Sequence, residues 1–519
     1  MKLSIVFLCL LHFANGSNIL GFFPFPINSH YIFAKTLFSK LADRGHNLTI
    51  YTVFPDKTAS KKYHEIDIRD CSPMIPLIPL DEIVGPFPLF RALNGIKDLV
   101  PTRSQIFQCN ALMELLNSTQ KFDLFLTDIF HNDWYAGFAY KFKVPMINIF
   151  PNLLFPWFAD SIGAISHPAY VPNYYNRVPP KMNFLDRLYN TYLYVALRSI
   201  GYFYTIVPSN KLAKEVFGDI PHLSEIVKNT SMTFVNSQPP YQVSYPTPPN
   251  LVQVGGMNVG LAKKLPENIE KFINESKHGV VYFCMGSLLR GETFPPEKRE
   301  AFLYAFSKIP QRVLWKWEGD VLPGKSDNIM ISKWMPQRDI LAHPNVKLFI
   351  SHGGLLGTSE AVYEGVPVLG IPIFGDQRTN IKSLEANGAG ELLDYNEISK
   401  EVVLEKIQRL LNDPKYKENA KLLSDRYRDR PMSPLDTAVY WTEYVIRHKG
   451  APHLRTAAAD MPWYQYLLLD VIAFIVAVLV AGLLIIYYTT KFILRAIYGL
   501  ICGGGAKKGS SKSDKKKRN

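Results

Sequence analysis

The chain has 519 residues, 47% of them hydrophobic and 13% aromatic, which excludes an intrinsically disordered protein and predicts about two to four domains. A net charge of +13 suggests an anionic partner, either nucleic acid or a membrane surface. The position of the basic residues along the chain decides between these two. The five cysteines form no C-x-x-C pair and no even framework, which argues against a zinc module and a disulfide-stapled miniprotein.

The N-terminal segment has the organisation of a secretory signal peptide. Lys2 supplies a positive charge, residues 3–13 are an apolar run, and residues 14–16 offer a cleavage site before Ser17. An apolar run of 11 residues is too short to cross a bilayer. We therefore predict a cleaved signal peptide over residues 1–16; the alternatives are a first buried strand and a membrane anchor.

Residues 17–245 are predicted to form a first α/β domain. Apolar, β-rich runs predict strands at 18–23, 48–54, 122–127 and 145–150. Helical periodicity lies between them at 31–44 and 134–142, an order typical of a doubly wound parallel sheet. Residues 151–245 are rich in Pro, Tyr, Asn and Phe, and we interpret them as loops and helices that shape a pocket, not as a sheet layer.

Residues 246–440 repeat the alternation and are predicted to form a second α/β domain. Strands are predicted at 280–284, 313–317, 330–331, 348–350 and 366–371. Helices are predicted from Pro296 over about 15 residues, at 359–363 and at 378–386. Two parallel sheets place a ligand outside the carboxyl ends of their strands, in the cleft between them.

The C-terminal part of the sequence predicts a helix and linker at 441–463, followed by one membrane crossing. Residues 471–488 carry no charge, and with the preceding residues they give a transmembrane helix at 464–488, with a buried core helix as the alternative. The tail 489–519 holds nine basic residues against one acid, so the positive-inside rule places it in the cytosol. The basic charge is therefore mainly a topology signal of a single-pass type I membrane protein, and nucleic acid is not a predicted partner.

Two further features fit this orientation. Sequons at Asn47, Asn117, Asn229 and Asn274 lie on the predicted lumenal side. Lysines at 516 and 517 match the spacing of a dilysine retrieval signal, and the alternative is a solvated basic tail. We predict the endoplasmic reticulum membrane, with the two α/β domains in the lumen.

A glycine-rich turn follows the predicted strand at 348–350. The strand leads into His352 and the Gly353–Gly354 pair, and a helix is predicted to begin near Gly357. Glycines allow close approach to a ligand, and a helix N-terminus offers free N–H groups, which together suit a diphosphate. Glu360 can reach ribose hydroxyls, and Ser287 lies in a second small turn of this kind. For a lone Gly–Gly turn the alternative is a helix entry without a ligand.

Two more motifs carry groups for a base and a sugar. Trp334 offers a flat ring for stacking on a base and Gln337 an amide for its edge; the alternatives are core packing and a surface loop. Asp376 and Gln377 follow a predicted strand with an acid and an amide that suit sugar hydroxyls.

The stretch 334–394 resembles the signature of the UDP-glycosyltransferase family, of the UDP-glucuronosyltransferase type of animal endoplasmic reticulum. The motifs are W-x-P-Q, S-H-G-G, a Glu eight residues past the His, G-x-P and D-Q; residues 428–448 resemble insect members in particular. The resemblance implies a GT-B fold, with two Rossmann-like domains facing across a cleft and one C-terminal transmembrane helix. It makes 17–245 the acceptor-binding domain and 246–440 the UDP-sugar-binding domain.

The resemblance also implies roles for the donor-site residues. The uracil contacts are Trp334 and Gln337, the ribose contact is Glu360, the diphosphate contacts are Ser287, His352 and Gly354, and the sugar contacts are Asp376 and Gln377. Leu356 departs from the family pattern, since many vertebrate members have Asn there, so one polar contact near the phosphates is missing or replaced by backbone.

The family uses a His base in the first domain, which here corresponds to His30 with Asp128 as its partner. Asn28 stands where vertebrate members have Gly, so this loop differs, and Asp133 is an alternative acid. The implied mechanism is proton removal by His30 and inversion at the anomeric carbon. No D-x-D lies near the donor motif, and we expect no metal and no cofactor beyond the UDP-sugar.

The acceptor is predicted to be a small lipophilic hydroxyl compound such as a phenol. Aromatic residues suggest an apolar pocket, with ordinary core packing as the alternative for each: Phe87, Phe90, Phe150, Phe155, Trp157, Phe158, Tyr174 and Tyr175. By resemblance to insect members we expect glucose as the sugar. Two alternatives remain, an inactive UDP-sugar-binding scaffold and a transferase acting on protein or lipid, and a homo-oligomer is compatible with the sequence.

Overall fold

The computed structural model divides into two units, residues 1–459 and 460–519. It describes residues 16–56, 63–71, 101, 103–130, 133–164, 167–173, 181–242, 244–287 and 289–502. The predicted signal peptide up to residue 15, the dilysine tail, Phe87, Phe90, Tyr174 and Tyr175 therefore lie outside the described residues.

The first half of the larger unit contains a seven-stranded, fully parallel sheet in the order β3-β2-β1-β4-β5-β6-β7. Its strands are β1 (Asn18–Phe23), β2 (Asn47–Thr52), β3 (His64–Asp67), β4 (Leu124–Thr127), β5 (Met146–Phe150), β6 (Met232–Val235) and β7 (Leu251–Gln253). Every residue of β4, β5 and β6 is buried, as expected for parallel strands covered on both faces.

Helices cover both faces of this sheet. They are α1 (Asn28–Asp43), α2 (Arg103–Phe107), α3 (Asn110–Asn117), α4 (Gly137–Phe142), α5 (Pro156–Ser161), α6 (Phe184–Gly201), α7 (Val207–Phe217) and α8 (Leu223–Lys228). A π-helical turn, Tyr202–Ile206, joins α6 to α7. Between 151 and 245 the expected helices are present, but β6 adds a strand to the sheet, so the expectation that this stretch contributes no sheet layer is wrong.

The second half contains a six-stranded parallel sheet in the order β10-β9-β8-β11-β12-β13. Its strands are β8 (Val280–Cys284), β9 (Arg312–Lys316), β10 (Ile329–Ser332), β11 (Val346–Ser351), β12 (Val368–Gly370) and β13 (Gly390–Leu392). The helices are α9 (Glu267–Asn274), α10 (Pro296–Ser307), α11 (Gln337–Leu341), α12 (Leu355–Glu364), α13 (Gln377–Ala386), α14 (Lys400–Asn412), α15 (Pro414–Arg428) and α16 (Pro434–Arg447).

The last α-helix of the larger unit, α16, packs against the first half. Buried residues of α16, among them Val439 and Val445, share an apolar core with Phe33 and Leu37 of α1. At the end of α1, Arg44 donates two hydrogen bonds to Glu443 of α16, at 2.5 and 2.9 Å. The chain therefore ties its two halves together through this helix.

One disulfide lies in the first half, between Cys71 and Cys109. The sequence did not reveal this pair, because its partners are 38 residues apart and carry no local motif. The Cys109 sulfur also accepts the Leu112 backbone N–H at 3.4 Å, so the same residue caps α3.

The smaller unit consists mainly of α17 (Trp463–Tyr466) and the 34-residue α18 (Leu469–Cys502). By length and composition α18 can cross a membrane. It extends beyond the predicted end at 488 and includes Lys491 and Arg495.

Candidate active site

A histidine and an aspartate meet at the carboxyl ends of the neighbouring strands β1 and β4. His30 lies in the first turn of α1, which begins at Asn28, and not in the loop before it. Asp128 directly follows β4. The His30 Nδ1 and Asp128 Oδ2 atoms are 2.6 Å apart, and both residues are more than nine-tenths buried. This pairing fixes which nitrogen of the imidazole carries the proton, and leaves Nε2 as the basic atom.

The surroundings of this pair are largely apolar. The rings of Phe25 and Phe130 lie 4.8 and 4.6 Å from the His30 ring, centroid to centroid. Burial raises the pKa of Asp128, and the contact with His30 opposes that effect. On the other side of the ring, the Asn152 amide nitrogen lies 3.5 Å from His30 Nε2.

Asp133, the alternative acid, is also buried. It begins a 3₁₀ turn over Asp133–Ala136, and burial raises the pKa of its carboxyl to about 7. Within the described part of the chain, however, the acid that contacts the His30 ring is Asp128.

The glycine-rich turn holds His352 between two backbone segments. It joins β11 to α12, so α12 begins at Leu355 rather than near Gly357. A Cβ atom on Gly286 would lie 2.5 Å from His352 Cε1, and one on Gly354 would lie 2.5 Å from His352 Nε2. Only glycine fits at either position without displacing the imidazole.

His352 is neutral at physiological pH. Burial, with a smaller contribution from the Lys316 ammonium, lowers the pKa of His352 to about 4. The ring can therefore donate one hydrogen bond to a phosphate oxygen without carrying charge. Lys316, at the end of β9, supplies the positive charge here; its ammonium donates to the Gly286 carbonyl at 3.1 Å and to Glu318 at 2.7 Å. Ser287 is exposed in the turn beside Gly286.

The groups proposed for the nucleoside lie on α11, on α12 and just before α11. The Gln337 amide donates to the Glu360 carboxylate at 2.8 Å, and burial raises the pKa of Glu360 to about 7. Trp334 is 68% exposed, which rules out core packing for its ring. Gln337 is the first residue of α11, so it does not lie in a surface loop.

Asp376 and Gln377 lie at the start of α13, and they differ in which side-chain atoms can still bind a ligand. The Gln377 side-chain oxygen accepts the backbone N–H groups of Ile373 and Phe374, at 2.8 and 3.1 Å, so only its NH₂ group remains for a sugar. Burial raises the pKa of Asp376, and a hydrogen bond from Asn380 and the nearby His30 oppose that effect. Asp376 of the second half therefore interacts electrostatically with His30 of the first half.

Asn380 links Asp376 to the glycine-rich turn. Its Nδ2 atom donates to Asp376 Oδ2 at 2.9 Å and to the Gly353 carbonyl at 3.0 Å. Leu356, the departure from the vertebrate pattern, is partly buried against the apolar core that α1 and α16 share.

The four described residues of the expected aromatic pocket belong to the core of the first half or pack against it. Phe150, Phe155 and Phe158 lie inside the core of the first half, as ordinary packing residues, and Trp157 packs against that core.

The family model described as "UDP-glucoronosyl and UDP-glucosyl transferase" matches residues 84–503. The chain belongs to the UDP-glycosyltransferase family. It is 59% identical to "UDP-glycosyltransferase UGT5" of Dactylopius coccus, over 94% of each chain. It is 41% identical to "UDP-glucosyltransferase 2" of the same insect, over 99% of this chain and 98% of that one. It is 36% identical to the Mus musculus "UDP-glucuronosyltransferase 1-2", over 78% and 74% of the two chains.

Solved structures show the fold of this UDP-glycosyltransferase. A glycotransferase of kitacinnamycin aligns with a TM-score of 0.55 at 16% identity, over 83% of this chain and 99% of that one. A "UDP-glucose: anthocyanidin 3-O-glucosyltransferase in complex with UDP" aligns with a TM-score of 0.53 at 17% identity, over 84% and 100%. The predicted GT-B fold, with two parallel Rossmann-like sheets, is confirmed. Members of the family are inverting glycosyltransferases, as predicted for this enzyme.

Sequence reasoning missed three polar residues in this site of the UDP-glycosyltransferase. Lys316 ends a strand, Asn152 lies in a loop after β5, and Asn380 lies inside α13. Of these, only Asn380 carried a local signal, since it follows Asp376 by one helical turn and therefore faces the same side of the helix.

Proposed function

We propose that this UDP-glycosyltransferase moves a hexosyl group, glucose first among the candidates, from a UDP-sugar to a hydroxyl of a small lipophilic acceptor such as a phenol. The observation that carries the proposal is the 2.6 Å contact between His30 and Asp128. A buried imidazole with a carboxylate on Nδ1 has the arrangement of a general base held in one tautomer.

In the proposed reaction, His30 Nε2 removes the proton from the acceptor hydroxyl as the oxygen attacks the anomeric carbon. The attack comes from the face opposite UDP, and the bond from that carbon to the diphosphate breaks with inversion. Asp128 stabilises the imidazolium that forms. The proton ends on His30, and the bonding electrons leave with UDP.

Negative charge then develops on the diphosphate, where the second half presents donors. The N-terminus of α12, the neutral His352 and the hydroxyl of Ser287 are proposed to stabilise it, with the Lys316 charge close by. In this proposal no metal takes part. Trp334, Gln337 and Glu360 bind the nucleoside, Gly354 allows the diphosphate to approach, and Asp376 with the Gln377 NH₂ group binds the sugar.

Glucose is preferred as the sugar because the chain resembles a relative named as a UDP-glucosyltransferase over nearly its whole length. The proposed location is the endoplasmic reticulum membrane, with the α/β halves in the lumen. The apolar α18 and the Cys71–Cys109 disulfide support it, since disulfides persist in oxidising compartments.

The test compares two buried acids of the same region. Asp128→Asn and His30→Ala are expected to lower kcat at least about 100-fold in microsomes supplied with UDP-glucose and a phenol panel, since general base catalysis contributes about that much. Asp133→Asn is the matched control and should retain most of the activity. UDP-glucuronate and UDP-N-acetylglucosamine are offered in parallel to identify the sugar.

Full activity of His30→Ala would contradict the assignment of the base. If the parent protein binds UDP but transfers no sugar to any acceptor, the scaffold alternative replaces the proposal. Transfer to protein or lipid, with none to the phenols, would favour the third alternative.

A further inference from the structure

A pocket of the larger unit lies between the first half and α13 of the second half. One wall is apolar and includes Leu153, Leu154 and Ala159, and the opposite wall includes Thr379 and Asn380 of α13. Among the described residues that line it, none carries a charged side chain. The proposed donor site does not use this pocket.

Three amides line the pocket, and each has buried polar atoms that find no hydrogen-bond partner among the described residues. Asn173, Gln242 and Asn380 are all more than nine-tenths buried, and we call their pocket the amide pocket. Within the described part of the chain, both polar atoms of the Asn173 side chain, the Gln242 Nε2 and the Asn380 Oδ1 make no hydrogen bond. A buried polar atom left unpaired costs about 1–3 kcal/mol, so several around one pocket point to a ligand that pairs with them.

The remaining contacts of these residues hold two of the amides in place. Gln242 Oε1 accepts the Gln238 backbone N–H at 2.9 Å, and Asn380 Nδ2 is committed to Asp376 and Gly353. The Asn173 backbone N–H donates to Asn190 Oδ1 at 3.0 Å. Gln242 therefore presents a donor, Asn380 an acceptor, and Asn173 one of each.

Two residues that line the amide pocket are neighbours of groups near His30. Leu153 directly follows Asn152, whose amide nitrogen lies 3.5 Å from His30 Nε2. Asn380 binds the carboxylate of Asp376 with its other amide atom. The lining of the pocket is therefore linked to the surroundings of His30 from both halves, along the chain through Asn152 and by a hydrogen bond through Asp376.

We propose that the amide pocket binds the end of the acceptor remote from the reacting hydroxyl, an inference that rests on the proposed function. The acceptor it fits is amphipathic and uncharged there, with an apolar body and a terminal group that both donates and accepts hydrogen bonds. A carboxamide, or a hydroxyl beside a carbonyl, meets that requirement. An ionised end does not, because no lining side chain in the described part of the chain would neutralise it.

The test uses two acceptors that differ only at the far end, 4-phenylphenol and its 4′-carboxamide. Binding to the detergent-solubilised full chain is measured by calorimetry at saturating UDP. The parent is expected to bind the carboxamide about tenfold more tightly, as expected for groups that pair with buried amides. Asn173→Leu and Gln242→Met are expected to lose that preference while binding 4-phenylphenol within about twofold of the parent.

Gln120→Met is the matched control, because Gln120 is exposed and does not line the pocket. It should retain the preference of the parent. UDP binding by each variant verifies folding, and Gln242→Met carries the test if Asn173→Leu does not fold.

The inference is overturned if the parent binds the two acceptors equally tightly, which is the result expected for a pocket that holds only water. It is also overturned if the variants still prefer the carboxamide, or if they bind both acceptors more weakly by the same factor. Sugar transfer to 4-phenylphenol is measured separately. Preference without transfer supports the amide pocket and contradicts the proposed function, whereas transfer without preference does the reverse.

Discussion

Gly286 has no functional group, yet it controls the position of His352. Its φ of +86° is favourable for glycine, and a Cβ atom there would collide with the imidazole. Gly286→Ala is therefore expected to displace His352 and raise KM for the UDP-sugar at least about tenfold, the cost of losing one charge-assisted hydrogen bond. Initial rates against donor concentration measure this effect.

The control for that variant is Gly260→Ala. Gly260 is exposed, and a Cβ atom there would meet no other atom within 4 Å. KM for the donor should equal that of the parent. An unchanged KM in Gly286→Ala as well would show that His352 does not bind the diphosphate.

Glu360 gives the nucleoside site a pH dependence with a defined sign. Burial raises its pKa to about 7, so the carboxyl is mostly protonated below that pH and mostly ionised above it. In the proposed site the ionised form would accept hydrogen bonds from both ribose hydroxyls, so affinity for the nucleoside should rise with pH. We expect uridine to bind up to about tenfold more tightly near pH 8 than near pH 6.

Uridine is the probe because it lacks the phosphate groups that titrate in the same range. Calorimetry at a series of pH values measures its dissociation constant. Glu360→Gln should bind uridine weakly and with no pH dependence. A parent curve that is flat, or that falls as pH rises, would remove Glu360 from the ribose site.

At the scale of elements, the Cys71–Cys109 disulfide stabilises the segment that leads into α3. A crosslink over 38 residues lowers the entropy of the unfolded chain and contributes about 4 kcal/mol to the free energy of unfolding. Cys71→Ser should therefore lower the thermal midpoint by several degrees. Cys71 is chosen because Cys109 also caps α3.

The matched control is Cys502→Ser, since Cys502 is an exposed free thiol. Differential scanning fluorimetry with and without a reductant completes the comparison. The reductant should lower the midpoint of the parent and of Cys502→Ser, and leave that of Cys71→Ser unchanged. An equal response of all three would mean that the bond is not formed in the protein.

Elements with strong apolar runs could be predicted from the sequence, and short or isolated ones could not. β1, β5 and β8 were predicted to within about one residue, because their buried runs are bounded by loops. β6 and β7 have four and three residues, too few to show a period, and belong to the sheet only through their neighbours. Tertiary pairing decides such strands.

The residues of the candidate site also divide into those that the sequence predicts and those that it does not. The residues proposed for the donor, apart from Ser287, lie in one stretch of motif, 334–377, so local sequence is enough to propose them. Asn152 lies beside His30, and Asn173 and Gln242 line the amide pocket. These three residues lie in separate segments that only the fold brings together, and no local sequence pattern marks them. The sequence predicts a loop at His30, because the N-terminus of α1 has no capping side chain that would mark the start of a helix there.

At the scale of the whole molecule, the residues proposed for the reaction all lie in the unit 1–459, and the apolar α18 lies outside it. A chain that ends at Ala459 is therefore expected to bind UDP with unchanged affinity but to be extracted from membranes by alkaline carbonate, because it lacks the span. Calorimetry and fractionation of expressing cells measure the two properties. The full-length chain should stay in the carbonate pellet.

A second truncation separates the anchor from the tail. A chain that ends at Cys502 keeps α18 and lacks the basic tail, so it should stay in the pellet like the full chain. If the chain ending at Ala459 also stays there, α18 is not the sole anchor, and if it no longer binds UDP, the compact unit depends on the residues that follow it. Carbonate resistance that tracks α18, with UDP binding independent of it, would assign anchoring and donor binding to separate units of the chain.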